Sequence, residues 1–264
     1  MLIEQIWTGN AYRNFNYLIA CPITGEAMAI DPLEAQMCFD IAKKNSWEIK
    51  KIINTHEHGD HTGGNLELSE LTGSEEVMAH AGASGKIPGM TKSLKEGDII
   101  KIGKEVELKV MDTPGHTMSH ICLLSISDIP AIFSGDTLFN AGAGNCHNGG
   151  HPEELFETFT NQFKDLKSET IIYPGHDYLE NNLKFTLDRE PNNENAINLL
   201  NLIKNYDIPS KYQTTLEIES NINTFFRLSN KDIIEKLKED CPNMSSNPSQ
   251  KEVFLNLRQL RNKW

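Results

Sequence analysis

The feature that most constrains this chain is a cluster of histidines directly after a buried strand. Residues 55–65 read Thr-His-Glu-His-Gly-Asp-His-Thr-Gly-Gly-Asn, and an apolar run at 52–53 precedes them. Imidazole nitrogen and carboxylate oxygen are ligands that suit zinc and other first-row transition metals. A loop at the end of a strand is a common place for such groups in an α/β scaffold. The stretch therefore predicts a metal site and favours a metal-dependent hydrolase.

Three later segments share one local pattern, in which a strand is followed by a glycine-containing turn and then by a histidine or aspartate. They end in His116, Asp136 and His176, each directly after a glycine. Glycine lets the backbone turn sharply at a strand end. We expect these turns to aim the three side chains into the site that residues 55–65 begin.

Together these segments supply enough ligands for two metal ions. We assign His56, His58 and His116 to one metal, Asp60, His61 and His176 to the other, and Asp136 to both. Two metals about 3.5–4 Å apart can hold a bridging hydroxide, which is a nucleophile at neutral pH. Asp60 and Asp136 are therefore the predicted catalytic residues around that hydroxide. Zinc is the preferred metal, and iron or manganese would accept the same nitrogen and oxygen ligands. Structural zinc sites are usually rich in cysteine, so a catalytic site is favoured.

The chain is expected to divide into residues 1–177, with alternating strands and helices, and a helical part, 178–264. Predicted strands fall at 2–7, 15–20, 26–30, 51–54, 77–80, 99–102, 106–111, 121–126, 131–134 and 170–173. Predicted helices follow at 65–71 and 152–167, and in the second part near 179–189, 193–205, 230–239 and 250–261. This order indicates an α/β layered architecture.

One helix has a predicted start and a predicted buried face. Asp31 has the character of an N-cap and the proline after it suits the first helical position. The helix would run to about Asn45 and bury Leu33, Met37 and Ile41, which lie at helical spacing.

Composition excludes several classes of partner. The formal net charge is -12, which disfavours nucleic-acid binding because phosphate contacts need a basic surface. No apolar run is long enough to span a bilayer, and the N-terminus lacks the pattern of a secretory signal. The five cysteines are scattered without a CxxC pair, which indicates reduced thiols and a cytoplasmic protein. We expect a monomer or a weak oligomer.

The metal motifs resemble those of the metallo-β-lactamase superfamily, and the longer match is to glyoxalase II, the hydroxyacylglutathione hydrolases. Residues 55–65, 115–120, 133–139, 175–185 and 209–227 carry the resemblance. It implies an αββα metallo-β-lactamase sandwich with a C-terminal helical domain that binds substrate. It also implies hydrolysis of a small-molecule thioester such as S-D-lactoylglutathione.

The resemblance extends to the substrate side, with one departure. It places a tyrosine role on Tyr178 and basic anchors at Arg258 and Arg261, whose spacing puts both on one helix face. Glyoxalase II usually has a basic residue where Asn145 stands and an aromatic residue where His147 stands. Both normally contact glutathione, so this departure also allows a substrate that is a different thioester.

Other readings of the sequence remain. A persulfide dioxygenase shares the fold and motif but works with a single iron, and the full helical part counts against it. A nuclease is disfavoured by the acidic charge. A non-catalytic binding module would lack one of the metal ligands, and none is missing from this sequence. His120 is expected to be either a surface group or a hydrogen-bonding residue that orients the His116 loop.

Overall fold

The computed structural model describes residues 1–127, 129–204 and 212–264. Its first sheet contains six strands, ordered along the sheet as they are along the chain. They are β1 (Leu2–Trp7), β2 (Phe15–Ala20), β3 (Glu26–Ile30), β4 (Glu48–Ile53), β5 (Glu76–His80) and β6 (Lys92–Leu94). The first three pair antiparallel and the last four pair parallel. Parallel strands align their carboxyl ends, so the loop that follows β4 lies at one edge of the sheet.

The remaining strands are β7 (Ile99–Ile102), β8 (Val106–Asp112), β9 (Ile121–Ser125), β10 (Ala131–Gly135), β11 (Leu138–Phe139), β12 (Gly142–Ala143) and β13 (Ile171–Pro174). The second sheet has the order β13-β10-β9-β8-β7, and β11 pairs only with β12 among the described residues. Because β10 and β13 are parallel, the residues that follow both strands emerge at the same edge.

The described residues form nine α-helices, some of which cover the outer faces of the two sheets. They are α1 (Ala35–Lys44), α2 (Gly59–Thr62), α3 (Asn65–Thr72), α4 (Pro152–Asn161), α5 (Leu179–Arg189), α6 (Glu194–Ile203), α7 (Leu216–Ile222), α8 (Lys231–Asp240) and α9 (Gln250–Arg261). One apolar core lies between the sheets, around Tyr17, Met28 and Phe133. A second lies between the first sheet and α1 and α3. The predicted αββα layering is confirmed. No helix in the described parts of the chain is long and apolar enough to cross a membrane.

A third core joins the second sheet to α4 and to the helices after residue 178. Ile132 and Ile172 of the sheet pack with Phe159 of α4 and with Phe254 and Leu257 of α9. The predicted boundary at 177/178 falls between β13 and α5. A division into two domains at this point stays a prediction.

The predicted start and face of the first helix are wrong. The helix begins at Ala35, and Glu34 precedes it without a side-chain cap. Asp31 instead has a φ of 49° and turns its carboxylate toward the histidine cluster. Ala35, Cys38 and Ala42 form the buried stripe, whereas Met37 is exposed. Small residues face the sheet because α1 packs closely against it, so the larger side chains are displaced to the flank.

Several shorter elements differ from the sequence prediction. Helix α4 ends at Asn161, six residues before the predicted end, and α7, β6, β11 and β12 were not predicted. These elements are too short to show a periodic pattern. Residue 205 of the predicted 193–205 helix, and residues 209–211 of the matched 209–227 segment, lie outside the described residues.

A buried carboxylate joins α7 to the turn that follows β11. Glu219 has no exposed surface. Both of its oxygens accept hydrogen bonds from the Ala141 backbone N–H, and Thr214 and Asn223 donate to one oxygen each. Burial raises the pKa of Glu219 to about 7, although these hydrogen bonds act in the opposite direction.

We expect Glu219 to make stability depend on pH. The carboxyl titrates near 4.3 in an unfolded chain, so between about pH 4.5 and 7 the folded protein holds a proton that the unfolded chain releases. The contribution of this group is therefore complete below that window and is lost as pH rises through 7. Urea unfolding of the metal-free protein at about pH 5 and pH 8 should show the free energy of unfolding falling more steeply for wild type than for Glu219→Gln. Equal pH dependence of the two proteins would contradict the assignment, and Glu217→Gln, an exposed change on the same helix, should behave as wild type.

Candidate metal centre

All seven predicted ligands lie at the ends of strands, where the edges of the two sheets meet. His56, His58, Asp60 and His61 follow β4, His116 lies between β8 and β9, Asp136 follows β10, and His176 follows β13. Their ligand atoms form three overlapping groups, each with all members within 4.8 Å of one another. The fold therefore brings together residues that are up to 120 positions apart, from 56 to 176.

The first group contains three imidazoles. His58 Nδ1 lies 3.0 Å from His56 Nε2 and 3.0 Å from His116 Nε2. His56 and His116 are buried and His58 is half-buried. This arrangement matches the three ligands predicted for one metal.

The second group contains Asp60, His61 and His176. The Nε2 atoms of the two imidazoles are 3.2 Å apart. Asp60 Oδ2 lies 3.7 Å from His61 Nε2 and 3.5 Å from His176 Nε2. These are the three ligands predicted for the other metal.

Asp136 lies between the two groups. Its Oδ1 is 3.4 Å from His61 Nε2, and its Oδ2 is 3.5 Å from His116 Nε2 and 3.2 Å from His176 Nε2. Oδ1 is buried without a hydrogen-bond partner, which is costly for a carboxylate oxygen unless a cation satisfies it. The position suits the predicted bridging role.

The outward nitrogen of every ligand histidine donates a hydrogen bond to an acceptor. The acceptors are Asn148 O for His58, Asn145 O for His116, Tyr12 O for His176, Thr55 Oγ1 for His56 and Asp31 Oδ2 for His61, at 2.7–3.0 Å. A neutral imidazole has one N–H, so its inward nitrogen presents a lone pair. His61, whose pKa is raised by neighbouring carboxylates, must give up a proton to do so. Lone pairs this close repel unless a cation lies between them. The residues present therefore fit divalent metal ions, with ring orientations set as in other metal sites.

Charge inside the cluster is consistent with cation binding. Burial lowers the pKa of both His56 and His116. Burial also acts to lower the pKa of His61, but the carboxylates of Asp136 and Asp31 outweigh it and raise that pKa well above its usual value. The pKa of Asp136 is held well below its usual value because His176 and His61 outweigh the opposing effect of burial. Asp136 is therefore ionised and able to bind a cation.

Asp31 is the main orienting residue that the sequence analysis missed. Its Oδ2 accepts from His61 Nδ1 at 3.0 Å and from Thr55 Oγ1 at 2.7 Å, and Thr55 in turn accepts from His56. One carboxylate therefore orients an imidazole in each group. An Asp-Pro pair after a strand also suits a helix start. Nothing local in the sequence therefore distinguishes a helix N-cap from a residue that orients the histidine rings.

Asn14 and His120 also support the aspartates. Asn14 Nδ2 donates to Asp60 Oδ2 at 3.2 Å. His120 Nε2 accepts from the Asp136 backbone N–H at 3.1 Å, and its Nδ1 faces Thr113 and Thr137 hydroxyls. The hydrogen-bonding role expected for His120 is therefore present, and it acts on the Asp136 turn as well as on Thr113 at the start of the His116 loop.

The strand-end glycines act in two ways. Gly115 and Gly135 have φ values of 145° and 46°, so they provide the sharp turns that the sequence predicted. Gly175 has no such φ, and a Cβ there would lie 2.3 Å from Asp136 Oδ1. Glycine at 175 is needed because the carboxylate passes directly over its backbone.

A cleft of about 770 Å³ opens over the cluster, and a neighbouring cavity of about 330 Å³ adjoins the helical part. Asn145 and Tyr178 line both. The second cavity is also lined by the other residues predicted to bind substrate: His147, Arg258 and Arg261. Tyr178 stacks on His176 with ring centroids 5.1 Å apart and donates to Tyr12 O. Asn145 and His147 are exposed.

The two arginines of α9 have no carboxylate partner among the described residues. Arg258 is buried and its Nη1 donates to Ala143 O and Gly144 O. Arg261 donates to Asn182 Oδ1 through Nε and Nη2. Burial lowers the pKa of Arg258 to about 10 and also lowers that of Arg261. Guanidinium groups held this way beside a cavity are suited to an anionic ligand.

Comparison with known proteins agrees with this architecture. Residues 17–176 match the metallo-beta-lactamase superfamily, and residues 177–264 match the hydroxyacylglutathione hydrolase C-terminus. A hydroxyacylglutathione hydrolase of Nitrosococcus oceani is 59% identical over 264 residues, which cover 100% of both chains. A protein of Arabidopsis thaliana named hydroxyacylglutathione hydrolase cytoplasmic is 33% identical over 85% of this chain and 88% of its own. The crystal structure of ETHE1 from Myxococcus xanthus has a TM-score of 0.65, with 22% identity, and the match covers 99% of this chain and 98% of that one.

Proposed function

Because the chain belongs to the hydroxyacylglutathione hydrolase family of the metallo-β-lactamase superfamily, we propose that it hydrolyses S-D-lactoylglutathione or a related hydroxyacyl-glutathione. The products are glutathione and a hydroxy acid. The chain is a metal-dependent thioester hydrolase, and the proposal extends to two divalent ions, preferably zinc, bound by the seven ligands. The observation that carries it is a cluster of inward-facing imidazoles whose cleft adjoins a cavity lined by two arginines, Arg258 and Arg261. Neither arginine has a carboxylate partner among the described residues.

Bound divalent cations would supply an activated water and would polarise the thioester carbonyl. The chain's own residues prepare that chemistry. Asp136 holds a buried negative charge between the two groups of imidazoles. Asp60 is 27% exposed and lines the cleft, so its carboxylate can orient a water that enters from there. No nucleophilic side chain is required.

Two adjoining cavities support an assignment of the parts of the substrate. We assign the reacting thioester to the larger cleft and the glutathione part to the smaller one, with Tyr178 and Asn145 at the junction. A glutathione carboxylate would satisfy the arginines of α9. His147 and Asn145 offer hydrogen bonds but no fixed charge, so anion recognition depends mainly on Arg258 and Arg261.

The proposal is tested by turnover of S-D-lactoylglutathione together with metal analysis of protein purified without added metal. We expect release of glutathione and two divalent ions per chain. The alternative of a persulfide dioxygenase predicts one iron per chain and oxygen consumption with glutathione persulfide. That result would overturn the proposal, whereas turnover of other thioesters alone would reject only glutathione as the carrier.

We expect Arg261→Met to raise KM for S-D-lactoylglutathione roughly tenfold, with little change in kcat. Loss of a charge-assisted hydrogen bond costs about 1.5–3 kcal/mol, and the reacting atoms lie in the other cavity. Steady-state kinetics of the zinc-loaded enzyme measure both constants. Lys263→Met removes an exposed charge close by and should leave both unchanged. An effect of Arg261→Met confined to kcat would contradict the anchoring role.

Cytoplasmic localisation and a monomeric or weakly oligomeric state are part of the proposal. All five cysteines are free thiols, as expected in a reducing compartment, and the Arabidopsis relative is named cytoplasmic. Sedimentation analysis measures the oligomeric state directly.

A further inference from the structure

The turn at residues 140–144, which contains β12, is held by the helical part of the chain in addition to its pairing with β11. Side chains of the helical part bind four of its carbonyls and one N–H. Asn182 donates to Asn140 O, and Asn223 donates to Gly142 O. Arg258 donates to Ala143 O and Gly144 O, and Glu219 accepts from Ala141 N. The non-glycine residue Ala141 has a φ of 58°, a conformation that needs support from its surroundings. The position of this turn therefore depends on the helices after residue 178.

Glu219 is the central residue of this contact. Its oxygens lie 2.9 Å from Ala141 N, 2.6 Å from Thr214 Oγ1 and 2.7 Å from Asn223 Nδ2. The Thr214 hydroxyl also accepts from Asn140 Nδ2 at 2.7 Å, so its only hydrogen points to Glu219. Every partner is a donor, and the ionised carboxylate satisfies them all.

The far end of the turn leads to the two carbonyls that orient half of the metal centre. Asn145 O lies 2.7 Å from His116 Nδ1, and Asn148 O lies 2.9 Å from His58 Nε2. The rings of the other half, His61 and His176, are oriented by Asp31 and Tyr12, which lie far from the turn in the chain. Displacement of the turn would therefore act most directly on His58 and His116.

We propose that Glu219 is a positioning residue for the metal held by His56, His58 and His116. It secures the 140–144 turn, and the turn keeps the Asn145 and Asn148 carbonyls against the two histidine rings. This role rests on the proposed two-metal centre. It also makes the helical part a support of the metal site in addition to a wall of the substrate cleft.

Only uncharged groups contribute to the pKa of Glu219, which burial raises to about 7. They are the Thr214 hydroxyl, the Asn223 amide and the Ala141 N–H. Arg258, which holds the same turn from α9, is not among the causes of the shift. Above about pH 7 the carboxylate is ionised, so the effect of removing its charge is best measured near pH 8.

The experiment compares wild type, Glu219→Gln and Glu217→Gln by zinc titration against a chelator near pH 8. Glutamine keeps the shape of Glu219 but directs N–H hydrogens at groups that are already donors. We expect two tight sites in wild type and in Glu217→Gln. In Glu219→Gln we expect one unchanged site and one weakened about tenfold, the lower end of the range for residues that orient metal ligands.

The possible outcomes distinguish failure of the positioning role of Glu219 from failure of the two-metal centre. Two sites of wild-type affinity in Glu219→Gln would overturn the positioning role. Equal weakening of both sites would also overturn it, because general destabilisation does not discriminate between them. Fewer than two sites in wild type would instead overturn the two-metal centre. If Glu219→Gln does not fold, Thr214→Val, which removes one donor to the same carboxylate, should give the same selective loss in a weaker form.

Discussion

Asp136→Asn is expected to lower kcat/KM for S-D-lactoylglutathione by roughly 10³-fold and to leave at most one tightly bound metal ion. Metal activation supplies several kcal/mol of transition-state stabilisation, and each 1.36 kcal/mol corresponds to a factor of ten in rate. Among the residues that the structure describes, Asp136 is the one carboxylate that approaches imidazoles of both groups. The amide of asparagine keeps the shape but replaces one oxygen with an N–H donor and removes the negative charge.

Metal analysis and steady-state kinetics on the same preparation test this prediction. Asp165→Asn, an exposed carboxylate on the outer surface, is the matched control and should retain two metals and full activity. Two tightly bound metals in Asp136→Asn would show that Asp136 does not bridge. Unchanged activity with one metal would show that a single ion is sufficient for hydrolysis.

Asp31→Asn is expected to weaken metal binding by roughly 10–100-fold, the cost that is typical for residues orienting metal ligands. The charge that orients His61 and, through Thr55, His56 is lost. The backbone should be preserved, because asparagine tolerates the φ of 49° at this position better than most residues. Since the two rings belong to different groups, both metals should be affected.

Zinc titration against a chelator measures the effect, and near-ultraviolet circular dichroism checks that the fold is retained. Asp40→Asn, which removes an exposed carboxylate from α1, is the control. A loss confined to one metal would indicate that Thr55 does not transmit the effect to His56. Asp31→Ala should be worse than asparagine in stability, because alanine at positive φ adds backbone strain.

The metal ligands could be predicted from the sequence because each segment carries its own signal, a histidine or aspartate after a predicted strand. Four of the predicted ligands lie within six residues, and the other three follow glycine at predicted strand ends. The glycines marked positions where the backbone must turn or where another group passes close to it, as at Gly175. Strand patterns were likewise sufficient to locate most strands, which are long enough to show them, whereas the two-sheet sandwich was implied by the family resemblance.

The errors came from residues whose role depends on distant partners. Asp31 suited a helix cap on local grounds, yet its partners are Thr55 and His61. The buried face of α1 was misjudged because close packing against the sheet favours Ala35, Cys38 and Ala42 over larger neighbours. Helical spacing alone cannot show which of two adjacent stripes meets the sheet.

By itself, the sequence was enough to identify the family and the α/β layering and to predict the metal ligands, because these depend on residue type, spacing and periodicity. Tertiary structure alone decided which carboxylate orients the rings, how the arginines of α9 are held, and how Glu219 reaches the 140–144 turn. These features arise from hydrogen bonds between residues about 30 to 115 positions apart. Such contacts have no local signature, since any polar residue can serve once the fold has buried it beside a partner.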